Sequence, residues 1–245
     1  MSGNESILEI ENLCKSFGEN AVLNDFNLRI EKGESVVVLG KSGAGKSVLI
    51  KCVIGLMKPD SGSIMMLGNN VFEITKEELD QVRAKVGFLF QSSALYDSMT
   101  VRENLEFPLR RHWIKLSDEE ENNKVQQALE DVGLADTIDM YPVELSGGMR
   151  KRIALARTLI LNPQLILYDE PTTGLDPITS KEITQLMIDI QKKYNTTSLI
   201  ISHDITCVRM AATKVVMLIG GKCYASGTYQ ELENSPDPEV KQFFI

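Results

Sequence analysis

The chain of 245 residues is short of several things, and each shortage excludes a class of protein. Its 4 cysteines, Cys14, Cys52, Cys207 and Cys223, are too scattered for a close metal-ligand pair or a disulfide framework. Only 2 histidines are present, which argues against a zinc centre. No apolar run approaches the roughly 18–20 residues needed to cross a bilayer. Met1 to Ser6 is polar, without the core of a signal peptide. Cationic charge is scarce too: 26 Lys and Arg stand against 34 Asp and Glu, a formal net charge of −8. Proteins that coat nucleic acid depend on cationic contacts to phosphate, so nucleic acid is not an expected partner. What remains is ordinary globular composition, 43% hydrophobic and 24% charged, which excludes a disordered or fibrous chain. The expectation is an intracellular protein that hides about 70–75% of its unfolded surface.

The hydrophobic pattern changes along the chain. Ile7 to Phe17 and Val22 to Ile30 alternate apolar and polar residues and read as antiparallel strands. Glu34 to Gly40 is a β-branched run ending in glycine, the pattern of a strand buried on both faces. A glycine-rich turn then leads into a helix with Val48, Leu49, Ile50 and Val53 available for packing, ending near Gly55. Val86 to Phe90, Leu165 to Tyr168 and Ser198 to Ile201 have similar strand character and alternate with helical stretches, which predicts a mostly parallel α/β sheet. The stretch from 92 to 161 differs. Ser117 and Glu120 form a capping box ahead of the stripe Val125, Ala128, Leu129 and Val132, and a second helix runs from about Gly148 to Leu161. Near the end, Val215 to Ile219 and Lys222 to Ala225 flank Gly220-Gly221 as a hairpin.

Gly40-Lys41-Ser42-Gly43-Ala44-Gly45-Lys46-Ser47 fits the phosphate-binding loop. Its glycines let backbone N–H groups point at phosphate oxygens, and the following helix offers its positive end. Lys46 would reach the β and γ phosphates and the Ser47 hydroxyl would ligate Mg²⁺. Leu165 to Glu170 places Asp169 and Glu170 at the end of an apolar strand, where the ligand crevice of an α/β sheet lies. Asp169 can hold Mg²⁺ there and Glu170 can polarise a water. Ser146-Gly147-Gly148 opening a helix is either a second anion-binding geometry or a plain helix cap. The basic run Arg150-Lys151-Arg152 reads as a solvated helix face.

Taken together, these motifs resemble the nucleotide-binding subunit of an ATP-binding cassette (ABC) transporter over nearly the whole chain. The phosphate loop, Leu145 to Gly148 as the signature, and Asp169-Glu170 stand in family order. Gln91 matches the Q-loop, Asp176 the D-loop and His203 the switch histidine, and Phe17 falls where the family stacks an aromatic on adenine. The resemblance implies an α/β fold: a P-loop NTPase core of mostly parallel sheet with an N-terminal antiparallel β subdomain and an inserted α-helical subdomain. Residues 1–91 and 162–245 would form the catalytic core and 92–161 the helical part. It implies ATP hydrolysis with Mg²⁺ as cofactor. Glu170, His203, Gln91 and Lys46 would be catalytic. Phe17 and residues 40–48 (ending at Val48) would bind ATP, with Ser47, Gln91 and Asp169 on the metal. Ser146, Gly147 and Gly148 would meet the ATP of an opposing copy in a head-to-tail homodimer.

Within the family, Leu89 to Asn104, Phe107-Pro108-Leu109, Met149 after the signature, Gly174 to Thr179 and Pro236-Asp237-Pro238 are most similar to the Mla (maintenance of lipid asymmetry) type of phospholipid transport ATPase. That likeness implies an integral-membrane permease, a lipid-binding subunit of the MCE type and a STAS-domain regulator as partners. The chain would sit peripherally on the cytoplasmic face of the inner membrane. Two departures stand out. The D-loop reads Thr173-Gly174-Leu175-Asp176 where the family often has Ser-Ala-Leu-Asp, and the chain reaches Ile245 soon after Phe243-Phe244, so a long tail gripping the opposing ATPase is not expected. The alternatives are an ABC ATPase serving another cargo and a soluble ABC ATPase outside transport.

Overall fold

A computed structural model describes residues 5–112 and 114–244. Ile245, the last residue of the tail, lies outside them. Strands β1 (Ser6–Phe17) and β2 (Asn20–Glu31) pair antiparallel, as their alternation predicts. With β4 (Ser61–Met66) and β5 (Asn69–Asn70) they form a 4-stranded sheet in the order β2-β1-β4-β5.

The second sheet is built from the short apolar runs. It has 6 strands in the order β10-β9-β3-β8-β7-β6: β3 (Ser35–Leu39), β6 (Val86–Leu89), β7 (Leu165–Asp169), β8 (Thr197–Ser202), β9 (Lys214–Ile219) and β10 (Lys222–Gly227). All neighbours are parallel except the β9–β10 hairpin. Side chains of β3 alternate between faces, so Val36 and Val38 enter one core and Val37 and Leu39 another. The first core lies between the sheets and contains Leu49, Ile50, Cys52 and Val53 of α1 (Lys46–Val53). The second packs α6 (Pro177–Tyr194), α7 (Ile205–Ala211) and one side of α5 (Gly147–Leu159) against the opposite face.

A third core belongs to helices alone: α3 (Val101–Arg111), α4 (Asp118–Asp131) and the other side of α5. Among these helices, α3 is an addition that the sequence pattern does not reveal. The described residues also form the short helices α2 (Lys76–Arg83), α8 (Tyr229–Glu233) and α9 (Pro238–Lys241). The parallel register sets Leu39 beside Ser202 and Asp169 beside Ile201. The loops that leave β3, β7 and β8 therefore emerge along one edge.

Candidate active site

That edge carries the phosphate loop. At Gly45 the backbone takes φ +102, and a Cβ there would come within 2.9 Å of both the Val22 carbonyl and its side chain. Only glycine lets the loop lie this close to β2. Gly45 is also the N-cap of α1 and offers no side-chain hydrogen bond. Every other α-helix among the described residues is capped by a Ser, Thr or Asp side chain. The first N–H groups of α1 are left for an anion, with the positive helix end behind them.

A cavity of about 610 Å³ opens over this loop, lined by Phe17, Val22, Ser42, Gly43, Gly45, Lys46, Ser47, Val48, Gln91, Glu170, Thr173 and His203. Most of the predicted nucleotide residues are thereby brought together. Phe17 is 49% exposed, so its ring lies outside the core. Gly40, Lys41 and Ala44 belong to the loop but not to the cavity wall. The Lys41 ammonium turns away, donating to Gln242 Oε1 at 2.6 Å. Val22 is a wall residue that the motifs do not mark, and Thr173 opens the D-loop segment.

Lys46 is buried, and its Nζ donates to the Gly40 carbonyl at 2.7 Å and the Lys41 carbonyl at 3.1 Å. It also lies 3.3 Å from Glu170 Oε1. The other oxygen of Glu170, Oε2, is 2.7 Å from His203 Nδ1 and accepts from the Thr173 hydroxyl at 3.3 Å. Glu170 itself stands at φ +49, an uncommon conformation for this residue, with its N–H donating to the Ile201 carbonyl. Strand β8 thus fixes the turn that swings the carboxylate towards Lys46 and His203.

Asp169 is partly buried, and its Oδ1 is shut from solvent without a hydrogen-bond partner. Burial holds its carboxyl above the ordinary aspartate range and the neighbouring charge of Glu170 adds to this, while Lys51, Lys151 and Lys46 oppose it. A buried carboxylate oxygen with an open valence suits a hard cation that takes oxygen ligands. Among the described residues no cluster of three or more His, Cys, Asp or Glu could hold a metal unaided.

The signature and D-loop residues lie elsewhere. Ser146, Gly147, Gly148 and Asp176 line a separate cavity of about 570 Å³ with Gly174, Leu175 and Thr179. Ser146 caps α5 by accepting from the Met149 N–H, and Asp176 caps α6 by accepting from Ile178 and Thr179. Capping is therefore part of what both residues do. A Cβ at Gly148 would meet Thr179 at 2.8 Å, so the two motifs pack closely.

The basic run corrects the expectation of a solvated face. Arg150 is exposed, but Lys151 is only 2% exposed and donates to the Gln91 carbonyl at 2.6 Å and the Phe90 carbonyl at 3.3 Å. Burial pulls its ammonium down to about 8, against the attraction of Asp169.

Comparison with known proteins settles the family. The profile described as ABC transporter matches residues 23–173. The chain belongs to the ABC transporter family. It is an ATP-binding subunit and an ATPase. The cassette is 41% identical over 236 residues to the probable ribonucleotide transport ATP-binding protein mkl of Mycobacterium leprae, covering 96% of this chain and 68% of that one. It is 37% identical to the intermembrane phospholipid transport system ATP-binding protein MlaF of Haemophilus influenzae, covering 98% and 90%. Among solved structures, the dimeric ATP-binding cassette MJ0796 bound to ADP and Pi matches with a TM-score of 0.82 and 31% identity, covering 91% of this chain and 98% of that one. Family members work as dimers. No described helix of the cassette is long and apolar enough to cross a membrane.

Proposed function

We propose that the cavity over the phosphate loop binds ATP and that Glu170 is the general base for its hydrolysis. The observation that carries this is the Lys46–Glu170–His203 chain of contacts at the floor of that cavity. Phe17 stacks on the base, the 40–48 loop wraps the phosphates, and Lys46 exchanges its carbonyl partners for phosphate oxygens. Glu170 takes a proton from the attacking water, with His203 orienting it through Nδ1. Ser47, Gln91 and Asp169 would hold Mg²⁺, which neutralises charge on the phosphates. Residues 146–148 serve the ATP of an opposing copy, so that two chains pack head to tail. That residues 146–148 line a cavity other than that of the phosphate loop supports that arrangement.

The same reading gives the chain a membrane partner. Between β6 and α3 lies a groove of about 500 Å³ lined by Phe88, Phe90, Tyr96, Phe107 and Pro108 among others. It adjoins Gln91 and suits a cytoplasmic segment of an integral permease, holding the cassette peripherally at the inner membrane. Phospholipid is the proposed cargo, with an MCE-type lipid-binding subunit and a STAS-domain regulator as further partners. The support is the MlaF relative, of which the chain spans 90%, whereas it spans 68% of the mkl relative. Purification of the tagged chain from native membranes in mild detergent tests this. A polytopic permease, an MCE-type subunit and bound phospholipid are the expected companions. A permease with another solute-binding partner would discard the lipid reading, and purely soluble companions would discard transport.

A further inference from the structure

The roles given above leave the buried ammonium of Lys151 unused. Taking a lysine charge out of water is costly unless it is well partnered. Its hydrogen-bond partners here are backbone carbonyls of the segment that carries Gln91, at 2.6 Å from Gln91 and 3.3 Å from Phe90. Farther along the same helix, Arg157 donates to the Ala94 carbonyl at 2.8 Å and the Ser93 carbonyl at 3.0 Å. Ser93 and Ala94 are both left-handed, with φ +65 and +49, which L side chains adopt only where the surroundings hold them. Two cations from α5 thus hold the strained loop after β6 by its carbonyls. Charge-assisted hydrogen bonds of this kind are about twice as strong as neutral ones. The helix that provides them is capped by Ser146, in the segment assigned above to the ATP of an opposing copy.

We propose that Lys151 and Arg157 are positioning residues: they fix the backbone from which Gln91 reaches the metal and phosphates, so that the signature helix and Gln91 move as one body. This rests on the assignment of Gln91 to Mg²⁺ and ATP. Lys151→Met removes the charge and keeps the chain length, while Lys151→Arg keeps a donor.

In the full-length Met variant, ATP binding in EDTA stays within about twofold, because the phosphate loop is untouched. The Mg²⁺ concentration for half-maximal hydrolysis rises about tenfold and kcat falls about tenfold or more, the usual scale for groups that orient a metal ligand. The Arg variant recovers most of both. Without nucleotide, amide hydrogen exchange of residues 90–96 quickens about tenfold in the Met variant while that of 40–47 is unchanged. If the Met variant does not fold, Lys151→Gln, a weaker neutral donor, gives a smaller shift of the same sign. Native Mg²⁺ dependence and native exchange in the folded Met variant overturn the proposal, as does equal loss of EDTA binding and metal dependence. Gln91→Ala serves as the control. If it raises the Mg²⁺ requirement and Lys151→Met does not, the clamp is wrong. If Gln91→Ala itself changes nothing, the assignment of Gln91 is wrong.

Discussion

Glu170 shows how much one residue depends on its backbone. Its φ of +49 turns the carboxylate back over the sheet edge, where Lys46 takes one oxygen and His203 and Thr173 share the other. Glu170→Gln preserves this shape and removes the base. Hydrolysis should fall by about 10²–10⁴-fold while ATP affinity holds, measured by steady-state turnover and by equilibrium binding. Undiminished turnover would remove Glu170 from its role. Asp169 and Glu170 were recognisable as a pair from an apolar strand ending in two acids. The left-handed turn between them was not, since it depends on a hydrogen bond to Ile201 across the sheet.

At the scale of elements, the helices are held by their N-termini. Thr75, Thr100, Ser117 and Thr228 each form a capping box with Glu78, Glu103, Glu120 and Glu231. Hydrogen bonds from the cap residue's backbone N–H, and then from its hydroxyl, hold each of these carboxyls below the usual glutamate range. A carboxyl lowered in the folded state stabilises the fold above its unfolded pKa and loses that contribution as pH falls through the folded value. Urea midpoints should therefore be level near neutrality and decline below about pH 4.5. Buried Glu106 and partly buried Asp169, both held above the usual range, oppose the trend. Replacing the four capping glutamates by Gln should flatten the acid decline, and an unchanged slope would assign it to other groups.

Legibility also varies by element. Strands β3, β7 and β8 are readable because burial on both faces calls for a short apolar run without alternation. Helix α3 was not, because it contains Pro108 and a largely polar sequence. Strand β5 is two residues long and carries no period at all. Lys151 was misread for a different reason. Helix α5 packs into two cores at once, so a charge on it does not mark a solvent face.

For the whole molecule, the decisive feature is that the phosphate-loop cavity and the signature cavity are separate in one chain. In a head-to-tail pair each reaction centre is then jointly owned, half by each copy, and this has a consequence in inheritance. Consider one copy with Lys46→Ala and another with Gly147→Asp. Gly147 has no atom nearer than 3.9 Å to a new Cβ, and an acid in the first turn of α5 suits the helix dipole, so the second copy should fold while its charge repels phosphate. Paired with itself, each mutant has two broken centres. Paired with each other, they gather both lesions into one centre and leave the second intact. Random pairing restores about a quarter of the centres. Two alleles that are each null should therefore complement, and ATPase assays on the co-expressed copies would show it. Without recovery, the two halves of a centre come from the same copy.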